Sequence, residues 1–370
     1  MKKLKVLVVY PGRFGFHVVS YFLCKYGAQK HDFTYLGRAF AATAACEISS
    51  PLPGVKVKDD SCKSGLSGRR KVLRLIREEV MAGNYDVVFT AYIPGLSLLS
   101  GFFEQQNVRV IVDIRSGFLV KNGYKRFLLN RILRYECRKL RHITINSRML
   151  AKYLGFAEGE VTELPLGAEP VSVGPRDLRR LHLLYVGALS KRHVELTVAG
   201  LKQYMNRCGA ETVRRYDIVG AGSIEEEQKI REAILENGLE DFVKMHGYVP
   251  RERMAAFLKS ANVGVSFVPL TAYYDMQPVT KTYEFLMAGL PIIATRTTQN
   301  RQLVNDTNGV LIEDTPESFA RGLAKIKSKL PGLSPLAIQG ASLQHSWENV
   351  ILGQYLPYLE SLLRSDDGRQ

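Results

Sequence analysis

The chain has 370 residues, of which 46% are hydrophobic and 24% charged, a composition that is typical of globular proteins and excludes extensive disorder. This length predicts two domains rather than one. No stretch approaches the roughly 20 apolar residues that a transmembrane helix needs, and the formal net charge of +15 favours polyanionic partners such as nucleic acid, anionic lipid or phosphorylated substrates.

The start of the chain resembles a signal peptide, because lysines precede a short apolar run. That run ends at Pro11 and Gly12 without a small-residue cleavage site, and we therefore interpret it as a buried first strand. The cysteines lack CxxC spacing, which argues against a disulfide framework or a zinc site and predicts a cytoplasmic protein. They are Cys24, Cys46, Cys62, Cys137 and Cys208.

In the first half, short apolar runs alternate with amphipathic helical stretches. Strands are predicted at residues 5–10, 33–36, 86–90, 108–114 and 142–146, and helices at 16–26, 70–81 and 125–140. This alternation predicts a parallel sheet with crossover helices. The runs lack polar alternation, as expected for strands that are covered on both faces.

A second series follows a polar stretch, rich in Pro and Gly, at about 165–180. Strands are predicted at residues 182–186, 216–219, 243–246, 263–267, 292–294 and 310–312, and helices at 195–204, 225–236 and 347–363. We therefore predict an α/β fold of two Rossmann-like, doubly wound domains that face a cleft. The predicted domains are 1–170 and 171–345, followed by a helix and a tail at 346–370.

Ligands of such sheets bind at the carboxyl ends of the strands, so the turns there carry the candidate site residues. After the first strand, Gly12 and Gly15 allow close backbone approach to a substrate, and His17 either faces it or caps the helix. A tight turn alone explains the glycines equally well. The spacing is not GxGxxG and no acidic residue ends the second strand, which disfavours a nicotinamide cofactor.

A carboxylate and a guanidinium, Asp113 and Arg115, end another strand of the first half. We interpret them as candidate catalytic groups in contact with substrate. The alternative is a salt bridge that holds the following loop.

In the second half, Gly187 forms a turn that is followed by the cations Lys191 and Arg192, a pattern that suits a diphosphate. The next turn contains Gly220 in a GxG pattern, which indicates either backbone approach to a ligand or a tight turn.

The segment 278–291 gives the most specific signal. Lys281 and Glu284 share one face of a predicted helix that begins near Thr280. The lysine suits a phosphate, and the carboxylate suits the two hydroxyls of a ribose. Surface pairs of this spacing contribute only about 0.3 kcal/mol, but the apolar run that follows argues against a surface position.

The stretch 121–142 combines many cations with apolar residues on a predicted helix. Such a helix suits an anionic membrane surface, while a solvated basic face over an ordinary core is the alternative. We find no aromatic platform typical of nucleic-acid binding, and no nucleic-acid partner is expected.

Several of these motifs occur together in the order found in GT-B glycosyltransferases. The chain resembles in particular the large retaining group called family 4, or glycosyl transferases group 1. The resemblance rests on Tyr185-Val186-Gly187 with Lys191-Arg192, Ile218-Val219-Gly220-Ala221-Gly222, His246-Gly247-Tyr248-Val249-Pro250, Glu284 with Ala288-Gly289-Leu290-Pro291, Asn308-Gly309, and His345-Ser346-Trp347-Glu348.

This resemblance implies a hexosyltransferase-type enzyme that transfers sugar from a nucleotide-sugar donor without a metal or other cofactor. The donor-binding residues would be Gly187, Lys191, Arg192, Gly220, Tyr248, Lys281 and Glu284. The acceptor, a glycan or a lipid-linked glycan of the cell envelope, would contact Gly12, Gly15 and His17. The final helix would cross back onto the N-terminal domain, and the enzyme would act in the cytoplasm, peripherally at the inner face of the membrane.

Two departures from the family pattern concern the catalytic residues. Met276 stands where the family has the first glutamate of Glu-x7-Glu, and Asp275 is the candidate substitute. Asp113 and Arg115 stand where many relatives have a histidine. The alternatives are a sugar-nucleotide epimerase on the same fold and a non-catalytic nucleotide-sugar-binding relative.

Overall fold

The computed structural model describes residues 3–39, 52–61, 66–120 and 122–364. Cys46, Cys62, Lys121 and the tail at 365–370 lie outside these residues. The chain divides into two compact units, one of Met1–Leu166 with Trp347–Gln370, the other of Gly167–Ser346.

The first unit alternates strands and helices. In chain order it contains β1 (Lys5–Pro11), α1 (Val18–Gly27), β2 (Asp32–Ala39), β3 (Val55–Ser61), α2 (Leu66–Gly83), β4 (Val87–Ala91), α3 (Ser100–Gln105), β5 (Arg109–Ile114), α4 (Gly123–Leu140), β6 (His142–Ile145), α5 (Arg148–Leu154) and β7 (Thr162–Glu163). The strands form one parallel sheet in the order β3-β2-β1-β4-β5-β6-β7.

Both faces of this sheet are covered, which explains the unbroken apolar sequence of its central strand. Successive residues of β1, from Val6 to Val9, are fully buried although they point alternately to opposite faces. On one face, Leu7 and Val9 belong to the same cluster as Val72 and Ile76 of α2. Burial of such side chains contributes about 1.5–3 kcal/mol each, so these apolar runs fix the position of the strand ends.

The second unit repeats this alternation. It contains β8 (Leu181–Val186), α6 (Glu195–Cys208), β9 (Val213–Val219), α7 (Ile224–Glu236), β10 (Val243–Gly247), α8 (Arg251–Ser260), β11 (Val263–Ser266), α9 (Ala272–Asp275), α10 (Thr280–Met287), β12 (Ile292–Thr295), α11 (Thr298–Leu303), β13 (Gly309–Ile312), α12 (Pro316–Lys329) and α13 (Pro335–Ser342). The strands are parallel, in the order β10-β9-β8-β11-β12-β13.

Alternate residues of β8 belong to two separate cores. Leu183 packs in a cluster with α6 and α12, whereas Leu184 packs in a cluster with Phe285 and Leu286 of α10. Helices therefore cover both faces of the second sheet, as in the first. The predicted α/β class with two doubly wound, Rossmann-like sheets is confirmed.

The C-terminal segment belongs to the first unit. It consists of α14 (Trp347–Val350), a π-helical turn at Ile351–Tyr355 and α15 (Leu356–Arg364). The ring of Trp347 stacks on Phe22 of α1 with centroids 5.2 Å apart, and His31 contacts Glu360 at 3.1 Å. The predicted single helix at 347–363 is thus interrupted by a wider turn.

Other predicted elements differ from the structure mainly at their ends or by omission. The first helix begins at Val18 rather than at residue 16, because His17 has an extended backbone. Several elements were not predicted, among them the edge strand β3 and the helices α5, α8 and α12. β3 carries the polar sequence VKVKDDS and lacks an apolar run. None of the described helices has the length and apolarity needed to cross a membrane.

Candidate functional site

Three turns at the carboxyl ends of β8, β9 and β10 are joined by backbone hydrogen bonds. The Gly187 amide donates to the Val219 carbonyl at 3.0 Å, and the Gly220 amide donates to the Gly247 carbonyl at 2.8 Å. These bonds align the turns predicted to hold the donor along one edge of the second sheet.

Gly220 is required by this close approach. Its φ is +147°, and a Cβ atom at this position would lie 1.8 Å from the carbonyl oxygen of Gly187. Any side chain would therefore force the turns apart. Gly187 also has a positive φ, +122°, and its open side lies 3.9 Å from Cε of Lys281. Gly187 therefore leaves backbone space beside the lysine.

Lys281 lies in the first turn of α10, and only 7% of it is exposed. Its ammonium donates to the Phe267 carbonyl at 3.3 Å and lies 3.5 Å from the centroid of the Tyr185 ring. Burial lowers the pKa of this ammonium well below its usual value, the charge of Arg192 lowers it further, and the charge of Glu284 offsets part of the shift. A buried cation beside a second cation is unfavourable unless an anion joins them.

Glu284 follows one turn later on α10 and is half-buried. Burial raises the pKa of its carboxyl, and the positive charges of Arg251 and Lys281 offset part of this shift. Because the lysine is buried, the two residues do not form the solvated surface pair that was the alternative interpretation. A carboxylate at this position can accept hydrogen bonds from the donor groups of a ligand.

The cationic turn after β8 is held by an aromatic residue of α9. The guanidinium of Arg192 lies 4.3 Å from the centroid of the Tyr274 ring, and the Tyr274 hydroxyl donates to the Lys191 carbonyl at 3.0 Å. Lys191 and His193 both have a positive φ, 58° and 52°. The contacts of Tyr185 with Lys281 and of Tyr274 with Arg192 were not predicted, because nothing in the local sequence pattern indicates a contact with a cation distant along the chain.

Asp275 ends α9 and is bound to the start of α11. Its two carboxylate oxygens accept hydrogen bonds from the amide of Thr298 at 2.7 Å and from its hydroxyl at 2.9 Å. The neighbouring Met276 is buried. Tyr248, predicted to lie beside a nucleotide base, follows β10 and is 61% exposed.

In the first unit, Asp113 is almost fully buried, and its carboxylate accepts hydrogen bonds from several protein groups. It accepts from Arg115 Nε at 2.6 Å and from Thr144 Oγ1 at 2.7 Å, and also from the Tyr10 hydroxyl. Arg115 further donates to the Leu164 carbonyl at 3.1 Å and to the Tyr355 hydroxyl. The salt bridge considered from the sequence is therefore present.

This network also borders a cavity of about 270 Å³ whose lining includes Tyr10, His17, Tyr92, Asp113, Arg115 and Phe118. The ring of His17 packs at a tilt against that of Tyr10, with centroids 5.4 Å apart, and its side chain makes no capping bond to α1 among the described residues. Burial lowers the pKa of His17, and the charge of Asp113 offsets part of this shift. The imidazole is thus neutral at pH 7.

Gly12 and Gly15 shape the turn that leads to His17. Their φ angles are +105° and +91°, and a Cβ atom on Gly12 would lie 2.8 Å from the ring of Phe16. The structure brings Asp113, Arg115 and His17 to one cavity. Lys281, Arg192 and the turns at Gly187 and Gly220 lie together in the second unit.

Comparisons with known proteins agree with this architecture. Residues 180–328 match the family model of glycosyl transferases group 1. None of the curated proteins matches the chain. A glycosyltransferase from Rickettsia africae ESF-5 is similar in structure, with a TM-score of 0.73 and 14% identity over 98% of this chain and 99% of that one.

Two further solved structures have the same fold. Sucrose-phosphate synthase from Thermosynechococcus elongatus gives a TM-score of 0.71 and 16% identity over 98% of this chain and 100% of its own. HepE from Anabaena, in complex with UDP and glucose, gives a TM-score of 0.73 and 14% identity over 97% of this chain and 100% of its own. Residues 180–328 are thus similar to glycosyl transferases group 1, and the chain has the GT-B fold of these solved glycosyltransferase structures.

Proposed function

We propose that the chain transfers a sugar from a nucleoside-diphosphate-sugar donor, bound by the second unit, to a glycan or lipid-linked acceptor that contacts the first. The observation that carries this proposal is the burial of the Lys281 ammonium within the electrostatic influence of Arg192 at the carboxyl edge of the second sheet. A diphosphate would supply negative charge to these two cations in addition to that of Glu284.

Each part of the donor has a matching group. The diphosphate would bind Lys281, Arg192 and Lys191, with backbone approach at Gly187 and Gly220. Glu284 would accept hydrogen bonds from the ribose hydroxyls, and Tyr248 would lie beside the base. The solved structure of HepE contains UDP and glucose, which supports a donor of this class on this fold.

The proposed chemistry breaks the bond between the anomeric carbon and the diphosphate oxygen while the acceptor oxygen bonds to that carbon and loses its proton. Negative charge grows on the leaving diphosphate in the transition state. Cations already fixed by burial and by aromatic rings stabilise this charge without reorganising. We therefore propose that the transfer needs no metal. By the resemblance to the retaining family, we further propose that it proceeds with retention of configuration. Asp275 is the proposed carboxylate nearest the sugar.

The acceptor is proposed to bind at the cavity bordered by His17, Asp113 and Arg115, reached over the turn at Gly12 and Gly15. The buried Asp113–Arg115 pair is internally neutralised, so it suits hydroxyl groups of a sugar better than a highly charged ligand. Arg115 and Asp113 would orient the acceptor, and the neutral imidazole of His17 is able to accept a proton.

We also propose that the first unit docks on an anionic membrane surface through the outer face of α4. Large apolar side chains and cations are exposed together on this helix, and its only acidic residue, Glu136, hydrogen-bonds the Gly95 amide at 2.8 Å. The exposed residues are Tyr124, Lys125, Phe127, Leu128, Arg131, Ile132, Tyr135, Arg138 and Lys139. An apolar stripe flanked by cations suits the lipid interface.

A thermal-shift screen of nucleotide sugars tests the donor proposal. One or more should raise Tm in a saturable manner, and Lys281→Ala and Glu284→Ala should each reduce that shift. A full shift in both variants would contradict the assigned site. Product analysis with and without an added acceptor then separates transfer from epimerisation, since an epimerase converts the donor alone.

A further inference from the structure

An apolar groove of about 380 Å³ lies in the first unit between α2, α4 and the short helical turn at Leu96–Leu99. Leu73, Pro94, Leu98, Phe118, Leu129 and Ile132 contribute to its walls. The volume is within the range of small-molecule sites, about 300–1,000 Å³. None of the groups assigned to donor or acceptor sugar lies in these walls.

Large apolar side chains of the groove are exposed to solvent. Leu98 is 82% exposed and Ile132 is 41% exposed. Each square ångström of such surface would contribute about 25 cal/mol if it were removed from water. The groove therefore offers binding free energy to an apolar ligand.

Partly buried hydrogen bonds hold the walls of the groove in one arrangement. The Glu136 carboxylate accepts from the Gly95 amide at 2.8 Å and from the Tyr92 hydroxyl at 3.3 Å. The Phe118 amide donates to the Asn130 side chain at 2.9 Å. Because these bonds fix the walls, a ligand would not have to order them.

The groove is continuous with two other features of the first unit. Tyr92 and Phe118 line both the groove and the cavity at Asp113 and Arg115, with their rings edge to face and 6.1 Å between centroids. Ile132, which also lines the groove, belongs to the exposed face of α4. A molecule in the groove would thus extend from the proposed membrane face to the proposed acceptor cavity.

The rim of the groove is positively charged. Arg69 and Arg70 are both exposed and both line it. The charge of Arg69 acts on the Tyr92 hydroxyl, at the end nearer the acceptor cavity. An anionic group attached to an apolar chain would meet these guanidinium groups there.

We propose that this groove binds the apolar chain of the acceptor and that Arg69 and Arg70 bind a phosphate attached to that chain. The acceptor class is then an amphiphilic lipid phosphate. This inference rests on the proposed acceptor site, because the groove leads to it.

Dodecyl phosphate, used below its micelle concentration, is a suitable probe in equilibrium dialysis with the full chain. The wild-type chain should bind it saturably and should bind inorganic phosphate at least about tenfold more weakly, since burying a few methylenes is worth more than 1.4 kcal/mol. Leu129→Trp, which fills the groove, should weaken binding about tenfold or more. Leu98→Asp should do the same without disturbing the fold, because Leu98 is exposed.

Leu235→Asp is the matched control, since it changes an exposed leucine of α7 in the second unit. The double variant Arg69→Ala, Arg70→Ala should bind dodecyl phosphate several-fold more weakly than the wild-type chain does. Its binding of the neutral dodecyl maltoside should be unchanged. Equal binding of inorganic and dodecyl phosphate, or unchanged binding in both Leu98→Asp and Leu129→Trp, would overturn the groove assignment.

The nucleotide-sugar thermal shift separates this inference from the proposed function. If the donor shift persists and sugar is transferred while dodecyl phosphate does not bind, the groove assignment is wrong and the proposed function stands. If dodecyl phosphate binds as described while no nucleotide sugar shifts Tm, the proposed function is wrong, and the groove is a lipid site of another activity.

Discussion

The two units place charge at the carboxyl ends of their strands in opposite ways. In the first, Asp113 and Arg115 neutralise each other, and surrounding hydroxyls complete their hydrogen bonds. In the second, the buried Lys281 is influenced by a second cation, Arg192, and its ammonium donates to a neutral carbonyl. The comparison indicates that the first arrangement maintains a shape, whereas the second is arranged to receive an anion.

The largest expected effect concerns the first unit. Asp113→Ala removes a buried carboxylate and leaves the half-buried Arg115 guanidinium and the hydroxyls of Tyr10 and Thr144 without it, so the free energy of unfolding should fall by about 3–5 kcal/mol. Urea denaturation measures this loss. Asp32→Ala is the control, because Asp32 pairs with Lys3 on an exposed surface and its removal should cost less than about 1 kcal/mol. Equal losses of unfolding free energy in the two variants would contradict the structural role of Asp113.

The next effect concerns the second unit. Lys281→Met keeps the length of the side chain but removes its charge, and kcat should fall about 10²–10³-fold if the ammonium stabilises the leaving diphosphate. Stability should not fall correspondingly, because a desolvated cation contributes little net stability. A loss of unfolding free energy as large as that of Asp113→Ala, with kcat unchanged, would reverse the comparison. Lys229→Ala, on the exposed surface of α7, is the control for kcat.

The pH dependence of donor binding sharpens the same contrast. The pKa of Lys281 is lowered in the folded chain, so the unliganded folded chain loses this proton in a pH window in which an ordinary lysine, with a pKa of 10.5, is still protonated. A diphosphate binds the protonated form, hence affinity should fall as pH rises through this window, by at most about tenfold per pH unit. Binding should be accompanied by proton uptake, which calorimetry in two buffers of different ionisation enthalpy detects.

The stability of the unliganded chain should change in the opposite direction. Between the lowered folded pKa and the unfolded pKa, the unfolded chain binds more protons at Lys281, so this residue makes stability rise with pH. Lys281→Met should remove both dependences. Proton release on donor binding, or an unchanged pH profile in Lys281→Met, would contradict the assignment.

The smallest effect concerns the outer face of α4. Arg131→Ala should weaken partition onto vesicles that contain phosphatidylserine by about 1 kcal/mol, roughly fivefold, at moderate salt. Vesicle sedimentation measures this partition. Arg231→Ala removes an exposed arginine from α7 and should leave it unchanged. Identical partition of the wild-type chain onto neutral and anionic vesicles would contradict the proposed docking.

Much of the fold was predictable because burial on both faces gives central strands such as β1 and β12 unbroken apolar sequences. The edge strand β3 lacks this signal, whereas the edge strand β13, with the sequence GVLI, retains it. The helix α12 does carry local signals that were overlooked: Thr315 caps it, Pro316 occupies its first turn and its apolar residues follow helical spacing.

The candidate donor site was partly predictable for a related reason. Glycine turns and cations after strands are local signals, and parallel strands bring them to one edge. The contacts of Tyr185 and Tyr274 with these cations depend on packing between distant segments. The same holds for Asp113, whose partner Thr144 lies on a neighbouring strand. Sequence spacing therefore identified the charged groups but could not predict which residues pack against them or pair with them.

The most direct test of the central claim is a crystal structure with the nucleoside diphosphate that gives the largest thermal shift. We predict diphosphate oxygens at hydrogen-bonding distance, about 3 Å, from Lys281 Nζ and the Arg192 guanidinium, with ribose hydroxyls on Glu284. A diphosphate bound instead at the Asp113–Arg115 cavity of the first unit, with Lys281 still bound to the Phe267 carbonyl, would contradict the account.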